Sequence, residues 1–292
     1  MDKNLILTDN HVFIKPEYLS HPYVSGNKLR KLKYNLLDAK KQGEKTLLTF
    51  GGAFSNHIAA VAHAGQENGF QTIGVIRGEE LKNFKTLNPT LSFSKTCGMR
   101  FKFVSRAQFR TKTSLSFIEE LEQEFGDFFL IPEGGTNNLA VKGCEEILTE
   151  VHEEFDYVCC PVGTGGTISG LINSSHPSQK IIGFPALKGD FLREEIAKFV
   201  TKTNWDLITD YHFGGYAKIN EDLIHFINEF KKTYDVPLDP IYTGKMMYGI
   251  YDLISKGYFE KDAKILAIHT GGLQGIEGMN AKLKQQNKPL IV

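Results

Sequence analysis

Regular alternation between apolar runs and helical stretches is the feature that most constrains how this chain folds. The apolar runs are four to six residues long, and most of them are separated by stretches with helical spacing. Strands connected by helices form βαβ units, whose strands lie parallel because each crossover returns the chain to the same end of the sheet. We therefore predict strands at 12–15, 45–50, 72–76, 101–104, 128–131, 157–162, 181–184 and 265–269.

The predicted strands fall into two series, which indicates an α/β chain with two lobes and mainly parallel sheets. The smaller lobe is expected to span residues 45–135, and the larger lobe residues 1–44 together with 136–292. A chain of 292 residues with 41% hydrophobic residues is long enough to bury a core in both lobes.

Composition limits the partners and the compartment. The formal net charge is zero, so we expect binding to neither nucleic acid nor a membrane surface. No window approaches about 18 apolar residues, and the apolar run 5–7 near the start 1–4 is too short for a signal peptide. The four cysteines lack metal-ligand spacing, and adjacent Cys159 and Cys160 are interpreted as small core residues on a buried strand. We predict no metal site and a reducing cytoplasm.

A basic segment, Ser25-Gly26-Asn27-Lys28, opens a predicted helix whose leucines recur at spacings near three and four. The helix dipole disfavours an ammonium at this end and lowers the pKa of Lys28. Arg30 and Lys31 act in the same direction if they face the same space. A neutral amine is what a Schiff base with an aldehyde cofactor requires. The alternative is a solvated basic helix start.

A glycine-rich turn, Gly163-Thr164-Gly165-Gly166-Thr167, joins a predicted strand to a predicted helix, where backbone N–H groups bind anions. The turn lacks the Gly-Lys-Ser/Thr of a P-loop. Ile168 stands where a dinucleotide fingerprint needs its third glycine. Two interpretations are left, which are an ordinary turn and a site for a single phosphate with the Thr164 and Thr167 hydroxyls as added donors.

The segment 51–57 has the same strand–turn–helix order and offers N–H groups to an anion such as a carboxylate. Ser55 is either a helix N-cap or a ligand of that carboxylate. Asn56 is able to hydrogen-bond a phenolate-like oxygen. His57 is either a base or, as we favour, a structural histidine.

Three other segments are placed where ligands of open α/β sheets bind. Tyr242 and Thr243 precede a predicted helix, and Thr270 follows the last predicted strand. Tyr216 follows Gly214-Gly215 in a loop that these glycines make able to close over a pocket.

Taken together, these segments resemble the fold-type II pyridoxal-phosphate enzymes of the tryptophan-synthase-β group, and within them the 1-aminocyclopropane-1-carboxylate deaminase / D-cysteine desulfhydrase family. The resemblance runs from Ser25 to Gly272 with the motifs in the family's order. It implies a two-lobed, three-layer α/β/α fold, pyridoxal 5'-phosphate as cofactor, a small amino-acid substrate and a homodimer. It also implies site residues: Lys28 for the covalent link, Gly163, Thr164, Gly165, Gly166 and Thr167 for the phosphate, Asn56 for the ring hydroxyl, Ser55 for the substrate carboxylate, and Tyr242 and Tyr216 for the substrate face.

Two positions separate the activities within the family that the chain resembles. Ring-opening deaminases typically carry Glu after the tyrosine and Leu before the Gly-Gly pair, where this chain has Thr243 and Thr270. A carboxylate near the pyridine nitrogen makes the ring a stronger electron sink, whereas a threonine hydroxyl only shares a hydrogen bond. The two threonines therefore favour the desulfhydrase branch, and the sequence leaves open which of them meets that nitrogen.

The resulting hypothesis is β-elimination from D-cysteine or a relative to give pyruvate, ammonia and sulfide. Ring-opening deamination on the same scaffold is the nearest rival. A catalytically silent binder of the cofactor, and a racemase or β-replacement synthase, are rivals of other kinds. The chain departs from the resembled family in its short length and in Ala217-Lys218-Ile219 after Tyr216, where Gly-x-Pro is expected.

Overall fold

The computed structural model describes residues 5–9, 11–24, 26–83 and 87–292, with no side-chain description for Asn83. Residues 1–4 and Ser25, which entered the predictions above, lie outside the described residues. Within those ranges the chain forms ten strands: β1 (Ile6–Leu7), β2 (Val12–Lys15), β3 (Thr46–Gly52), β4 (Gln71–Arg77), β5 (Arg100–Val104), β6 (Phe129–Ile131), β7 (Tyr157–Val162), β8 (Lys180–Pro185), β9 (Trp205–Leu207) and β10 (Ile265–Ile268).

Eleven α-helices connect and flank the strands of the described ranges. They are α1 (Asn27–Lys41), α2 (Asn56–Asn68), α3 (Pro89–Thr96), α4 (Arg106–Arg110), α5 (Leu115–Phe125), α6 (Asn138–Glu145), α7 (Gly166–Ser174), α8 (Phe191–Ala197), α9 (Glu221–Tyr234), α10 (Thr243–Ser255) and α11 (Gly275–Gln285). Among these residues, none of the helices is long and apolar enough to cross a membrane.

The strands form two sheets. A six-stranded sheet has the order β1-β2-β10-β7-β8-β9, and a four-stranded sheet the order β5-β4-β3-β6. Every pair is parallel except β1 with β2. The mixed α/β fold with mainly parallel sheets is thus confirmed. The four-stranded sheet lies inside the range 45–135, while the lobe boundaries themselves stay a prediction.

Both sheets are buried on their two faces, which explains their continuous apolar runs. All six residues of β7 are buried, including Cys159 and Cys160, and so are the four residues of β10. Parallel strands covered by helices on both sides have this composition. The prediction that Cys159 and Cys160 are core residues is therefore confirmed.

Five elements were not predicted. The edge strands β1 and β9 have two and three residues, too few to show an alternating pattern. The helices α4 and α6 have five and eight residues, and α11 has a largely polar surface with only Met279 and Leu283 buried. Short or mostly exposed helices give weak periodicity, so their formation depends on tertiary packing.

Close packing of α1 brings the start of this helix to the middle of the molecule. A Cβ atom at Gly143 of α6 would lie 2.0 Å from the Arg30 carbonyl oxygen. Gly26 has a φ of +64°, and a Cβ atom there would lie 1.9 Å from the carbonyl oxygen of Thr270. Glycine is therefore needed at position 26 both for its conformation and for the close approach to the end of β10.

Candidate active site: a cavity between the carboxyl ends of the two sheets

A cavity lies where the carboxyl ends of strands from both sheets converge. It has a volume of about 380 Å³. This placement is the usual one for ligands of parallel α/β sheets. Of the predicted site residues, the following line it: Lys28, Ser55, Asn56, Gly163, Thr164, Gly165, Thr167, Tyr216, Tyr242 and Thr270.

Asn27 ties the first turn of α1 to two distant parts of the cavity wall. Its backbone N–H donates to the Thr270 carbonyl oxygen at 3.2 Å. Its side-chain Nδ2 donates to the Thr167 hydroxyl at 2.8 Å. The next residue, Lys28, consequently enters the cavity beside the glycine turn. Sequence reasoning did not single out Asn27, because both of its partners are remote in the chain.

The Lys28 side chain lies in an environment that disfavours an ammonium. Burial and, to a smaller extent, the charge of Lys31 lower the pKa of Lys28 to about 7, while Cys144 acts in the opposite direction. Arg30 does not contribute, since its guanidinium forms a paired contact with the buried carboxylate of Glu17 at 2.9 and 3.2 Å. Of the two neighbours considered from the sequence, only Lys31 therefore faces the same space as Lys28.

Lys31 is a site residue that the sequence analysis missed as a ligand. It is 2% exposed, and its Nζ donates to the Gly134 carbonyl oxygen at 3.0 Å and to the Thr136 and Thr164 hydroxyls at 3.1 and 3.4 Å. Burial lowers its pKa, while Cys144 and Cys160 oppose this change. The spacing of these residues could have indicated this role. Lys31 is three residues from Lys28 and lies on the same helix face, whereas Arg30 is two residues away and does not.

The glycine turn between β7 and α7 has the geometry of an anion site. Gly165 has a φ of +85° and caps α7, whose first N–H groups have no partner within the helix. A Cβ atom at Gly166 would lie 3.2 Å from Lys31 Nζ, so a side chain there would crowd the ammonium. Gly166 itself lies behind the cavity wall formed by Gly163, Thr164, Gly165 and Thr167.

The N-terminus of α2 forms another wall. Ser55 caps this helix, since its hydroxyl accepts a hydrogen bond from the Ile58 N–H at 3.4 Å, and it also lines the cavity. The buried Oδ1 of Asn56 and Nδ1 of His57 have no hydrogen-bond partner among the described residues. Both atoms are shielded from solvent, so they lie behind the cavity wall and do not face the cavity.

His57 is a neutral histidine held from one side. Its Nε2 lies 2.9 Å from the Thr49 hydroxyl, which itself donates to the Ile131 carbonyl oxygen at 2.8 Å, so Nε2 carries the proton. Burial lowers the pKa of His57 well below its usual value, and the charges of Lys28 and Lys31 add to this effect. His57 is therefore an uncharged histidine, and its Nδ1 lies against Gly135, behind the cavity wall.

The two predicted tyrosines lie together, and Tyr242 packs against the glycine turn at Gly163. The rings of Tyr216 and Tyr242 have centroids 6.3 Å apart in an edge-to-face arrangement. Burial raises the pKa of both hydroxyls, that of Tyr242 strongly. Both are protonated at neutral pH and act as donors there.

Lys245 fixes the loop that carries Tyr216. Its Nζ is buried and donates to the carbonyl oxygens of His212 and Gly215 at 2.8 and 2.9 Å. Four residues of this loop have positive φ: Phe213, Gly214, Gly215 and Ala217. The loop that was predicted to be loosened by its glycines is thus anchored to α10 at this point.

The two predicted threonines have different surroundings. Thr270 lines the cavity, whereas Thr243 is fully buried and is not among the cavity-lining residues. The Thr243 hydroxyl donates to Asp239 Oδ1 at 2.8 Å. Asp239 also accepts the backbone N–H groups of Ile241, Tyr242 and Thr243. A cofactor role for Thr243 stays a prediction, while its present partner is this carboxylate.

Replacing Asp239 with alanine is expected to destabilise the protein by about 2–4 kcal/mol, because four donors at the start of α10 lose a buried acceptor. Urea unfolding followed by circular dichroism measures the change. Asp127→Ala, at an exposed position, serves as the control and should change the unfolding free energy by less than about 0.5 kcal/mol. Equal stability of the two variants would contradict the capping role of Asp239.

A cluster outside the cavity groups His21, His63 and Glu67, whose potential ligand atoms all lie within 4.8 Å of one another. His21 Nδ1 accepts the backbone N–H groups of Tyr23 and Val24 at 3.2 and 2.9 Å. Its proton is therefore on Nε2, which faces Glu67 at 3.3 Å. This arrangement is a hydrogen-bonded pair, because a metal would need the electron pair of Nε2.

Comparisons with known proteins agree with this geometry. A family model for pyridoxal-phosphate dependent enzymes matches residues 4–271. A Pyrococcus abyssi protein whose name assigns it as a 1-aminocyclopropane-1-carboxylate deaminase is 32% identical over 91% of this chain and 85% of its own length. The bifunctional D-cysteine desulfhydrase/1-aminocyclopropane-1-carboxylate deaminase of Arabidopsis thaliana is 28% identical over 91% of this chain and 73% of its own. A crystal structure of an ACC deaminase homologue superposes with a TM-score of 0.81 at 29% identity, covering 94% of this chain and 88% of that chain.

Proposed function

Because the chain belongs to the family of pyridoxal-phosphate dependent enzymes, we propose that it catalyses β-elimination from D-cysteine or a related β-substituted alanine. The products from cysteine are pyruvate, ammonia and sulfide. One observation carries the proposal, namely that an amine with a pKa of about 7 shares its cavity with an anion-binding glycine turn. The cofactor of the family joins these two features, since it has an aldehyde at one end and a phosphate at the other.

The residues present fit pyridoxal 5'-phosphate. The N-terminus of α7 and Lys31 offer N–H groups and a cation to the phosphate. Asn56 lines the cavity, and its Nδ2 is assigned to donating a hydrogen bond to the phenolate-like ring oxygen. Lys28 is assigned to the covalent link with the aldehyde, because its lowered pKa keeps a fraction of the amine neutral near pH 7.

When bound, the cofactor supplies an electron sink for the negative charge that develops at the α-carbon of the substrate. Lys28 is assigned to taking up the α-proton at its Nζ. A base with a pKa near the working pH is best suited to this task, and positioned proton transfer contributes on the order of 10²–10⁴-fold. Tyr216 and Tyr242 are protonated and are assigned to donating hydrogen bonds at the departing β-substituent.

The substrate carboxylate is assigned to the N-terminus of α2. Ser55 and the first N–H groups of this helix face the cavity, where a carboxylate is favoured by the helix dipole. With the carboxylate held there, the α-proton is assigned to the side of Lys28 and the β-substituent to the side of the tyrosines. This division of the cavity is part of the proposal.

Elimination is favoured over ring opening by the two threonines. Thr243 and Thr270 provide hydroxyls where ring-opening relatives carry other residues, and the Thr243 hydroxyl is already bonded to Asp239. The cavity-lining residues of the described ranges include one carboxylate, that of Glu133, which lies 3.1 Å from Lys112. Ring-opening deamination remains the second candidate, because the names of the relatives include this activity.

Purified holoenzyme assayed with D-cysteine, L-cysteine and 1-aminocyclopropane-1-carboxylate tests the proposal. We expect pyruvate and sulfide from a cysteine enantiomer, with D-cysteine preferred at least tenfold, and 2-oxobutanoate below that rate. Formation of 2-oxobutanoate as the main product would establish ring opening instead. A coloured protein inert to all three would point to a silent binder, and α-proton exchange without pyruvate to a racemase. The homodimer expected from the family stays a prediction, which light scattering of the holoenzyme measures.

A further inference from the structure

The segment 212–218, which brings Tyr216 to the cavity, consists of two successive turns. The Gly215 N–H donates to the His212 carbonyl oxygen at 3.0 Å, and the Lys218 N–H donates to the Gly215 carbonyl oxygen at 3.1 Å. Tyr216 is the second residue of the second turn. The direction of its side chain is therefore set by the conformation of that turn.

The two turns hold two residues other than glycine in the left-handed region. Phe213 has a φ of +53°, and Ala217 has a φ of +54°. A side chain makes this conformation unfavourable, so contacts from elsewhere in the molecule must hold the segment in place. The ring of Tyr216 supplies few of these contacts, because this residue is 44% exposed.

Helix α10 supplies these contacts. Lys245 Nζ donates to the carbonyl oxygens of His212 and Gly215, the first residues of the two turns, at 2.8 and 2.9 Å. Almost one helical turn further along, the Tyr248 ring packs edge to face against Phe213, with centroids 5.1 Å apart. Lys245 therefore holds both turns at once.

The burial of Lys245 is not explained by a gain in stability. Its side chain is 2% exposed, and the two carbonyl oxygens are its only hydrogen-bond partners among the described residues. Burial lowers its pKa to about 8, although the charge of Asp239 opposes this change. Burying an ammonium without a bonded counter-ion is unfavourable, and a methionine would fill the same space without this cost. The benefit of Lys245 therefore lies in the direction that its hydrogen bonds give to the two turns.

We propose that Lys245 is a positioning residue of the reaction, which fixes the Tyr216 hydroxyl beside Tyr242 at the departing β-substituent. This inference rests on the proposed function, in which the two tyrosines donate hydrogen bonds to that group. Tyr242 directly precedes α10, and Lys245 follows it by three residues. The start of one helix thus carries one tyrosine and anchors the other. Lys245 is not among the cavity-lining residues of the described ranges, so it acts through Tyr216.

A double-mutant cycle on the holoenzyme tests this role with Lys245→Met, Tyr216→Phe and the two combined. Each single variant should lower kcat for the cysteine enantiomer that gives pyruvate by about 10- to 100-fold, because one positioned donor is lost. KM should change by less than about threefold, since the groups assigned to the substrate carboxylate are intact. The double variant should be no slower than Tyr216→Phe, because Lys245 acts through that hydroxyl.

Trypsin cleavage after the exposed Lys218 provides a readout that does not depend on activity. In Lys245→Met this cleavage should be at least about fivefold faster, because the turns open more often. Mass spectrometry of the digested holoenzyme measures the rate. The variant is expected to fold, since the His212 and Gly215 carbonyl oxygens keep their turn hydrogen bonds, and circular dichroism checks this.

Lys232→Met, at an exposed position of α9, is the control and should leave turnover and cleavage unchanged. Normal turnover of either single variant would overturn the inference. A double variant whose loss equals the product of the two single losses would overturn it as well. Wild type that forms no pyruvate would refute the proposed function, whereas equal cleavage of wild type and Lys245→Met would refute the anchoring by Lys245.

Discussion

Lys28→Ala is expected to lower the rate of the proposed elimination by on the order of 10²–10⁴-fold and to remove the visible absorption band of the covalently linked cofactor. The reason is that Lys28 supplies both the covalent link and the proton acceptor in the proposed reaction. An absorbance scan of the purified protein in the presence of pyridoxal 5'-phosphate and a steady-state assay measure the two effects. Lys41→Ala, at the exposed end of the same helix, is the control. A retained band with normal turnover would refute the assignment of Lys28.

The same variant should be more stable than the wild type when both lack the cofactor. Burial holds the pKa of Lys28 at about 7 in the folded state, against 10.5 for an ordinary lysine. Below pH 7 the folded wild type therefore bears the full free-energy cost of burying a charged amine. This cost falls as the pH rises toward 10.5. By linkage the gain in Lys28→Ala is up to about 5 kcal/mol below pH 7 and disappears above about pH 10.5. Urea unfolding at pH 6 and pH 10 measures this difference and shows that the variant is folded.

Lys31→Met is expected to weaken binding of pyridoxal 5'-phosphate roughly 10- to 100-fold, since a charge-assisted hydrogen bond to the phosphate is lost in a buried site. Titration of the apoprotein followed by absorbance gives the dissociation constant. Inorganic phosphate provides a readout without catalysis, because it should raise the melting temperature of the wild-type apoprotein more than that of the variant.

Lys33→Met is the matched control for Lys31→Met. Lys33 lies two residues further along α1 and is bonded on the exposed surface to Glu146. Its removal should leave cofactor affinity unchanged. Should both variants bind the cofactor equally well, Lys31 would be a structural lysine that serves only Gly134, Thr136 and Thr164.

The local pattern of apolar residues was sufficient to predict the strands and helices that form the core. Strands β7 and β10 are buried on both faces, so nearly every residue in them is apolar and the strands are recognisable in the sequence. Turns such as 163–167 require backbone conformations that glycine favours, so their glycines make these turns recognisable in the sequence. The short edge strands β1 and β9 had no comparable signal, because their pairing partners lie elsewhere in the chain.

The sequence by itself determined the α/β fold and the family, because both depend on local patterns and contiguous motifs, and it predicted Lys28 as the reactive amine, which stays a prediction. Only the tertiary structure decided which side chains surround that amine. Arg30 and Lys31 are neighbours in the chain, yet one pairs with Glu17 and the other lies at the glycine turn. The partners of Lys245 were decided in the same way, because His212 and Gly215 are distant from it in sequence. Side-chain direction depends on packing between segments distant in sequence, and the charge balance of a cavity exists only once those segments meet.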